Sequence, residues 1–356
     1  MDIFDSVYYK VMKNLHQCIG SWPYQRRIEK YILRSFILLL NASMVIPEIL
    51  NFINVRKNLN IVLDCLPIFI IHLIYMMMEL FNAIKDDWLM VKTEGEIIII
   101  HEYAEKGRKI SVACASKFSI LILVFYLDNI TDYIIDKEKY YTPIIIHHFI
   151  TAVIGITSIV AADGTYTVYV HHVCGMFTIV RDELNNMSNY EKSKDWQLSG
   201  KIRISKRITN CMENHRKAIW FSEKMESAHV VLMFILLLTS VMGLSMTGVQ
   251  AMLNVGQPSE ALQSVVLCLG HFVHIYYYSW NSQKILDHSS MIFDAIYNTE
   301  WYREMNIITK LLTFMMLRST KPCIQTAGKL FPMTLMNFTV IVKTSMSYFT
   351  VLSSFQ

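Results

Sequence analysis

The sequence predicts an all-α membrane protein of seven transmembrane helices, with a cytoplasmic N-terminus, an extracellular C-terminus and helical extensions into the cytoplasm. Three observations carry this. Of 356 residues, 53% are hydrophobic and 17% charged, against about 25% charged in an average soluble domain. Several stretches of roughly 20 residues are nearly free of charge, the length that a hydrocarbon core of about 30 Å asks of a helix. The basic residues are also one-sided: 27 of the 33 Lys and Arg fall in the N-terminal segment and the three connections that share its side. Four lie in the other connections, and Arg34 and Lys343 lie within spans. The side richer in Lys and Arg is the cytoplasmic one.

The spans follow in order. The first is Tyr31–Phe52 and the second Ile61–Phe81. The third centres on Phe118–Leu127 and reaches about Asn129; the fourth starts near Pro143. Its helical pattern persists from Ile144 to Leu184, about twice a bilayer crossing, so this helix should project into the cytoplasm. The fifth, Ala228–Leu253, and the sixth, Ala261–Trp280, contain no Asp, Glu, Lys or Arg; the seventh is Leu330–Phe355. Two amphipathic segments, Ile202–Glu226 and Ile285–Met316, should feed spans five and seven as cytoplasmic helices. Residues 1–30 are polar and basic and form no signal peptide, no lipidation motif is expected, and the chain should end just outside the last span.

Other classes are excluded by what the chain lacks. Seven scattered cysteines without a CxxC argue against a disulfide framework or a structural zinc site. The histidine pairs His147/His148, His171/His172 and His271/His274 supply no four-ligand set, so no metal and no cofactor is expected. No GxSxG, Walker A, HExxH or GxGxxG occurs, and no enzyme is expected. A G-protein-coupled receptor would need the opposite topology, a DRY-like sequence and NPxxY. A transporter would show internal repeats.

Polar groups inside spans are the default functional candidates. Asp163 reads either as a brace between helices or as a partner for a ligand amine or ion, and Glu79 can reach headgroup water. Lys343, the one charge in span seven, should face protein or a water-filled path. The outer halves of spans two, three, four and six carry Tyr75, Phe125, Tyr126, Phe149 and Phe272, with Tyr133 beyond, and these suit a pocket for small hydrophobic molecules. His72 and His147 would line the same cavity, and Asn129 and Thr151 complete the candidate ligand-binding set. Asn129 also opens an N-glycosylation sequon close to the membrane.

Four stretches resemble insect odorant receptors. They are Tyr103-Ala104-Glu105-Lys106-Gly107-Arg108-Lys109, which is similar to hymenopteran members; Cys211-x3-His215 with Ala218-Ile219-Trp220-Phe221; and Ser289 to Trp301 with Ala295-Ile296-Tyr297. The fourth is Met316-Leu317-Arg318-Ser319-x-Lys321-Pro322, then Ala327-Gly328-x-x-Phe331 and Ser347-Tyr348-x-x-x-Leu352. Ser282 stands where the family often has Gly, and the long insertion of the family's co-receptor between spans four and five is missing. Gustatory receptors are relatives, of whose span-seven ending this chain keeps only the Tyr and the Phe.

The resemblance implies a tuning subunit of an odorant-gated, non-selective cation channel, assembled with the co-receptor as a hetero-tetramer in the plasma membrane of olfactory sensory neurons. A small volatile hydrophobic ligand and membrane lipid are its expected partners; nucleic acid is not. A gustatory-type channel is the alternative. Residues 1–30 would be the cytoplasmic N-terminal segment, 31–184 spans one to four with the pocket elements, and 185–228 cytoplasmic anchor helices. Residues 229–281 would be spans five and six, 282–329 a cytoplasmic anchor helix, and 330–356 the pore-lining helix. By position relative to Tyr348, Val351 and Phe355 would form the hydrophobic constriction, Ser354 would face the pore, and Lys343 would lie deeper along it.

Overall fold

The computed structural model describes residues 3–53, 77–90, 93–128, 141–190, 198–299 and 306–354. Nearly all of them are helical. In chain order the helices are α1 (Lys10–Cys18), α2 (Arg27–Ile53), α3 (residues 77–90), α4 (Glu94–Asp128), α5 (Tyr141–Tyr190), α6 (Leu198–Leu253), α7 (Pro258–Tyr297), α8 (Asn306–Ser319) and α9 (Leu335–Ser354). Spans one and three to six fall in α2, α4, α5, α6 and α7; span seven falls in α9 only from Leu335, because residues 331–332 pair in a hairpin. Span two is described only from residue 77, within α3.

Local signals start and stop these helices. Thr93 and Glu96 make a reciprocal capping box on α4: the Glu96 N–H donates to Thr93 Oγ1 (3.3 Å) and the Thr93 N–H to Glu96 Oε2 (3.2 Å). Between α6 and α7 the chain turns through Asn254–Gly256, and Pro258 occupies the first helical position, where its missing N–H costs nothing. α5, α6 and α7 have 50, 56 and 40 residues. At about 1.5 Å per residue each far outruns a bilayer of about 30 Å. The helix of span four therefore continues beyond one crossing, and Ile202–Glu226 runs into span five without a break.

The segment Ile285–Met316 differs from the single helix its pattern suggests. α7 ends at Tyr297 and α8 begins at Asn306. A small antiparallel hairpin then pairs Thr326–Ala327 (β1) with Phe331–Pro332 (β2) before α9 starts. The physical reason lies in Pro322, which cannot continue α8, and in a tight turn whose central residues, Gly328 and Lys329, both take positive φ (63° and 57°). The Leu330 N–H closes that turn on the Ala327 carbonyl at 3.1 Å.

The described residues fall into two compact units, Met1–Lys85 with Gly107–Val168, and Asp86–Lys106 with Tyr169–Gln356. In the first, the polar, basic N-terminal segment is folded. Phe4, Trp22 and Phe81 form a buried aromatic cluster with ring centroids 5.2 to 5.4 Å apart. Gly164 of α5 leaves room for α1: a Cβ there would lie 2.5 Å from Met12 Sδ. His16 is buried between Ser21 Oγ (2.5 Å) and Thr165 Oγ1 (2.6 Å). In the second unit α6 packs along α7. There His271 lies so close over Gly243 that no side chain fits at that position.

Among the described residues, windows within Tyr141–Asn186 and Ser205–Leu253 are long and apolar enough to cross a membrane, yet only 35% and 33% of them are buried within the chain. The core helix of a soluble protein would bury most of such a window. On α6 the exposed Val231, Ile235, Leu238, Met242 and Met246 recur at helical spacing, a stripe suited to lipid or to a neighbouring subunit.

Burial holds the His16 imidazole down at about 4, and a hydrogen bond to the Ala161 backbone offsets this only in part. The unfolded chain, with an ordinary value of about 6.5, binds more protons between these limits. Stability is therefore present above pH 6.5 and falls as pH drops towards 4, by up to about 3 kcal/mol. Thermal unfolding of the detergent-solubilised protein, followed by tryptophan fluorescence, should show this loss, and His16→Gln should flatten it.

Candidate functional site

α9 is held at its start and along one narrow seam. Thr334 caps it by accepting the Asn337 N–H (3.2 Å), and Gln283 Oε1 of α7 accepts the Leu335 N–H (3.2 Å). Asn337 Nδ2 donates to the Pro332 carbonyl (2.7 Å), tying the helix to the hairpin. Ile341 and Ser345 are buried, and Ser245 Oγ of α6 reaches the Ser345 carbonyl at 3.5 Å. The Phe338 ring meets Phe272 (5.1 Å) and Tyr276 (5.5 Å) of α7 edge-on.

The opposite face of α9 is open. Met336, Val340, Lys343, Ser347 and Val351 are exposed and follow one another at i, i+4, i+7, i+11 and i+15. Thr339, Thr344 and Thr350 are exposed beside them. The hydroxyls of Thr339, Thr344 and Ser347 donate to carbonyls four residues back and that of Thr350 to Ser347, so their protons are satisfied within the helix. Lys343 has no such refuge. An ammonium in the middle of a lipid-facing helix is costly, whereas one turned to water or to another subunit is not.

The hairpin ahead of α9 is strapped to α6 and α7. Gln325 Nε2 donates to both the carbonyl and the hydroxyl of Ser222 (3.2 Å each), Thr326 Oγ1 to Glu226 Oε1 (2.5 Å), and the Gly328 N–H to the Val230 carbonyl (2.9 Å). The Cys323 N–H donates to Ser289 Oγ on α7 (3.0 Å). Gly328 also lies against the Phe234 ring, where a Cβ would come within 2.8 Å. These bonds tie the base of α9 to both α6 and α7.

A buried polar chain joins α4, α5 and α7 beyond the crossing segments. His288 Nδ1 donates to the Lys284 carbonyl (2.8 Å), which leaves Nε2 to accept from Tyr103 Oη (2.8 Å). Thr178 Oγ1 shares its proton between Tyr103 Oη (2.9 Å) and the Cys174 carbonyl (2.8 Å). Lys284 Nζ lies 3.2 Å from His171 Nε2 and 3.4 Å above the Trp280 ring. Burial pushes His171 down to about 3, with Lys284 adding to the effect, so this imidazole is neutral and accepts from the lysine. Its buried Nδ1 has no hydrogen-bond partner.

Comparison with known proteins now decides the family. The family model described as 7tm Odorant receptor matches residues 113–346. The chain belongs to this odorant receptor family. It is 23% identical to Odorant receptor 13a of Drosophila melanogaster over 62% of this chain and 55% of that one. It is 25% identical to Odorant receptor Or2 of Anopheles gambiae over 41% of this chain and 38% of that one. The chain thus spans about half or less of the length of these curated relatives. Its fold is that of the olfactory receptor OR5 from Machilis hrabei in complex with eugenol: the TM-score is 0.72 at 11% identity, over 98% of this chain and 97% of that one. The receptor is therefore a multi-pass, seven-helix membrane protein of a receptor family, not an enzyme.

Of the receptor's sequence-predicted ligand residues, His72, Tyr75 and Asn129 lie outside the described residues, as do Tyr133, Trp301 and Phe355. Phe125 and Tyr126 fall in α4 and Ser354 in α9. His147 and Thr151 sit one turn apart on α5, in the first unit. Ser43 Oγ donates to the Leu40 carbonyl (2.7 Å) and so accepts from His147 Nε2 (2.9 Å), bracing α2 against α5. Thr151 is buried and donates to the His147 carbonyl (2.9 Å). Phe272, in the second unit, contacts Phe338 of α9.

Asp163 is buried. Among the described residues no group of three His, Cys, Asp or Glu could hold a metal. His172 pairs with Asp87 (3.0 Å) and His274 lies against Tyr278 (5.3 Å). Sequence reasoning missed Phe338, the hairpin strap and the Tyr103–His288–Lys284 chain. A signal for the last was present in the spacing of Lys284 and His288, one turn apart on one helix face.

Burial holds the Lys284 ammonium down at about 8, with Lys106 contributing and Cys174 opposing. Between pH 8 and an ordinary lysine value of about 10.4 the unfolded chain binds the extra proton, so this group makes the receptor more stable as pH rises through that window. In thermal unfolding from pH 7.5 to 10.5, the Lys284→Met variant should lack that part of the rise.

Proposed function

We propose that the receptor is a tuning subunit of an odorant-gated, non-selective cation channel, assembled with the family's co-receptor as a hetero-tetramer in the plasma membrane of olfactory sensory neurons. The observation that carries this reading is the open face of α9. A membrane-spanning helix with Lys343, Ser347 and three threonines exposed, and with Phe338, Ile341 and Ser345 on the face turned to its neighbours, suits a water-filled path shared between subunits. The 27-to-4 split of basic residues supports a cytoplasmic N-terminus. On that topology Val351 and Phe355 form the outer constriction, Ser354 faces the pore, and Lys343 lies further in. A hydrophobic ring of this kind gates by dewetting.

The inner ends of α4 to α7, with α8, serve as the anchor through which subunits meet. The ligand is a small hydrophobic volatile, a reading supported by the eugenol complex of the Machilis relative. Its cavity is assigned to the outer halves of spans two, three, four and six, with His72, Tyr75, Phe125, Tyr126, Asn129, His147, Thr151 and Phe272 as lining. Phe272 reaches Phe338 and so offers a route from cavity to pore helix. Binding opens the channel to the extent that the ligand prefers the open state.

The test is whole-cell current under a broad volatile panel, with and without the insect co-receptor. Ligand-evoked cation current only on co-expression is expected. Current from this chain alone would favour a self-sufficient, gustatory-type channel, and a C-terminus found inside the cell would sink the topology. Val351→Trp should lower single-channel conductance several-fold at unchanged surface expression. Thr151→Val or Phe272→Leu should shift half-maximal ligand concentration by about tenfold, the 1–3 kcal/mol that such pocket changes carry.

A further inference from the structure

A cavity lies within the first unit, and none of the residues assigned to the odorant pocket lines it. It occupies about 330 Å³ among α1, α4 and α5, within the roughly 300–1,000 Å³ of small-molecule sites. Val11, Met12 and Leu15 of α1, Val112 of α4 and Val160 of α5 make most of its wall, and Arg108 of α4 lines one end. The three helices converge where Met12 and Ser111 meet Gly164. The mouth is itself apolar, since Val11 is 44% and Val112 40% exposed, and Val7 stands open one turn before Val11.

We propose that this cavity holds an acyl chain of an anionic membrane phospholipid, with Arg108 beside the headgroup. Three features favour that occupant over another segment of protein. The cavity wall is graded along α4: from Arg108 to Ala115 and Ser116 it climbs about 10–12 Å at 1.5 Å per residue, from a guanidinium to the edge of span three. That is the layout of an amphiphile. α1 is itself amphipathic, with Val11, Met12 and Leu15 on the cavity side and Lys10, Lys13 and Asn14 away from it, the form of a helix lying in a membrane interface. Basic residues also flank it in sequence, Arg108 and Lys109 on α4 and Arg26, Arg27 and Lys30 before span one, complementary to an anionic leaflet. The inference rests on the cytoplasmic placement of the N-terminus, not on odorant gating.

The experiment uses full-length receptor, co-expressed with co-receptor and reconstituted in nanodiscs. These carry phosphatidylserine or phosphatidylcholine bearing a photoactivatable diazirine in the acyl chain, and cross-linked peptides are mapped by mass spectrometry. The expected result is labelling concentrated in residues 8–15 and 108–116, stronger with phosphatidylserine. Val112→Trp, a change at an exposed position that fills the cavity, should cut this labelling several-fold while labelling along α6 stays unchanged. Arg108→Gln should erase the preference for the anionic lipid. The proposal is overturned by labelling spread evenly over all lipid-facing helices, by indifference to Val112→Trp, by equal labelling from both lipids, or by displacement of the probe by micromolar volatile ligand, which would make the cavity an odorant site. The readout needs no current, so a lipid result stands or falls apart from the channel reading.

Discussion

Hydrocarbon offers a peptide group no hydrogen-bond partner, and each N–H or C=O left bare there costs several kcal/mol. Everything else in this receptor follows from obeying that constraint. Each described crossing is a helix, and three of the helices do not end at the membrane surface. Stopping there would expose up to four carbonyls and four amides at an interface. Continuing moves those ends into water. α5, α6 and α7 therefore run as unbroken rods of 40 to 56 residues that carry apolar walls at one level and polar chemistry at another.

The same rods explain where the buried polar groups lie. His171, Lys284, His288 and Tyr103 are gathered where α4, α5 and α7 have left the crossing segments and the chain packs on itself. Burying an amine and two imidazoles there is tolerable because each finds a partner across a helix interface. The exception is His171 Nδ1, which is buried without a hydrogen-bond partner. The N-terminal segment follows the same logic: its basic composition reads as solvated, yet Phe4 and Trp22 close on Phe81 and His16 reaches Thr165 in the middle of α5.

α9 is built differently. Among the crossing helices described along their whole span it is the shortest, it keeps one narrow seam of contact, and Lys343, Ser347 and its threonines are exposed. The hairpin before it compensates, because its hydrogen bonds reach both α6 and α7. A loosely seated helix with a firmly seated base is suited to small displacements driven from its neighbours, since packed interfaces shift between discrete arrangements rather than deforming smoothly.

Sequence alone determined the membrane class, the crossings, the extension of span four and the family. These properties are local: hydropathy over about 20 residues, a period of 3.6, and short motifs in fixed order. It did not determine which side chains meet. Tyr103 and His288 are 185 residues apart, and His16 and Thr165 are 149 apart. Nor did it show that His147 meets Ser43 on α2 or that Phe272 meets Phe338 on α9. Successive residues on a helix point about 100° apart, so a long apolar rod can be turned about its axis with little change in its sequence pattern. Only packing against its neighbours, through contacts such as Gly164 under Met12 and Gly328 under Phe234, chooses the angle and with it the site.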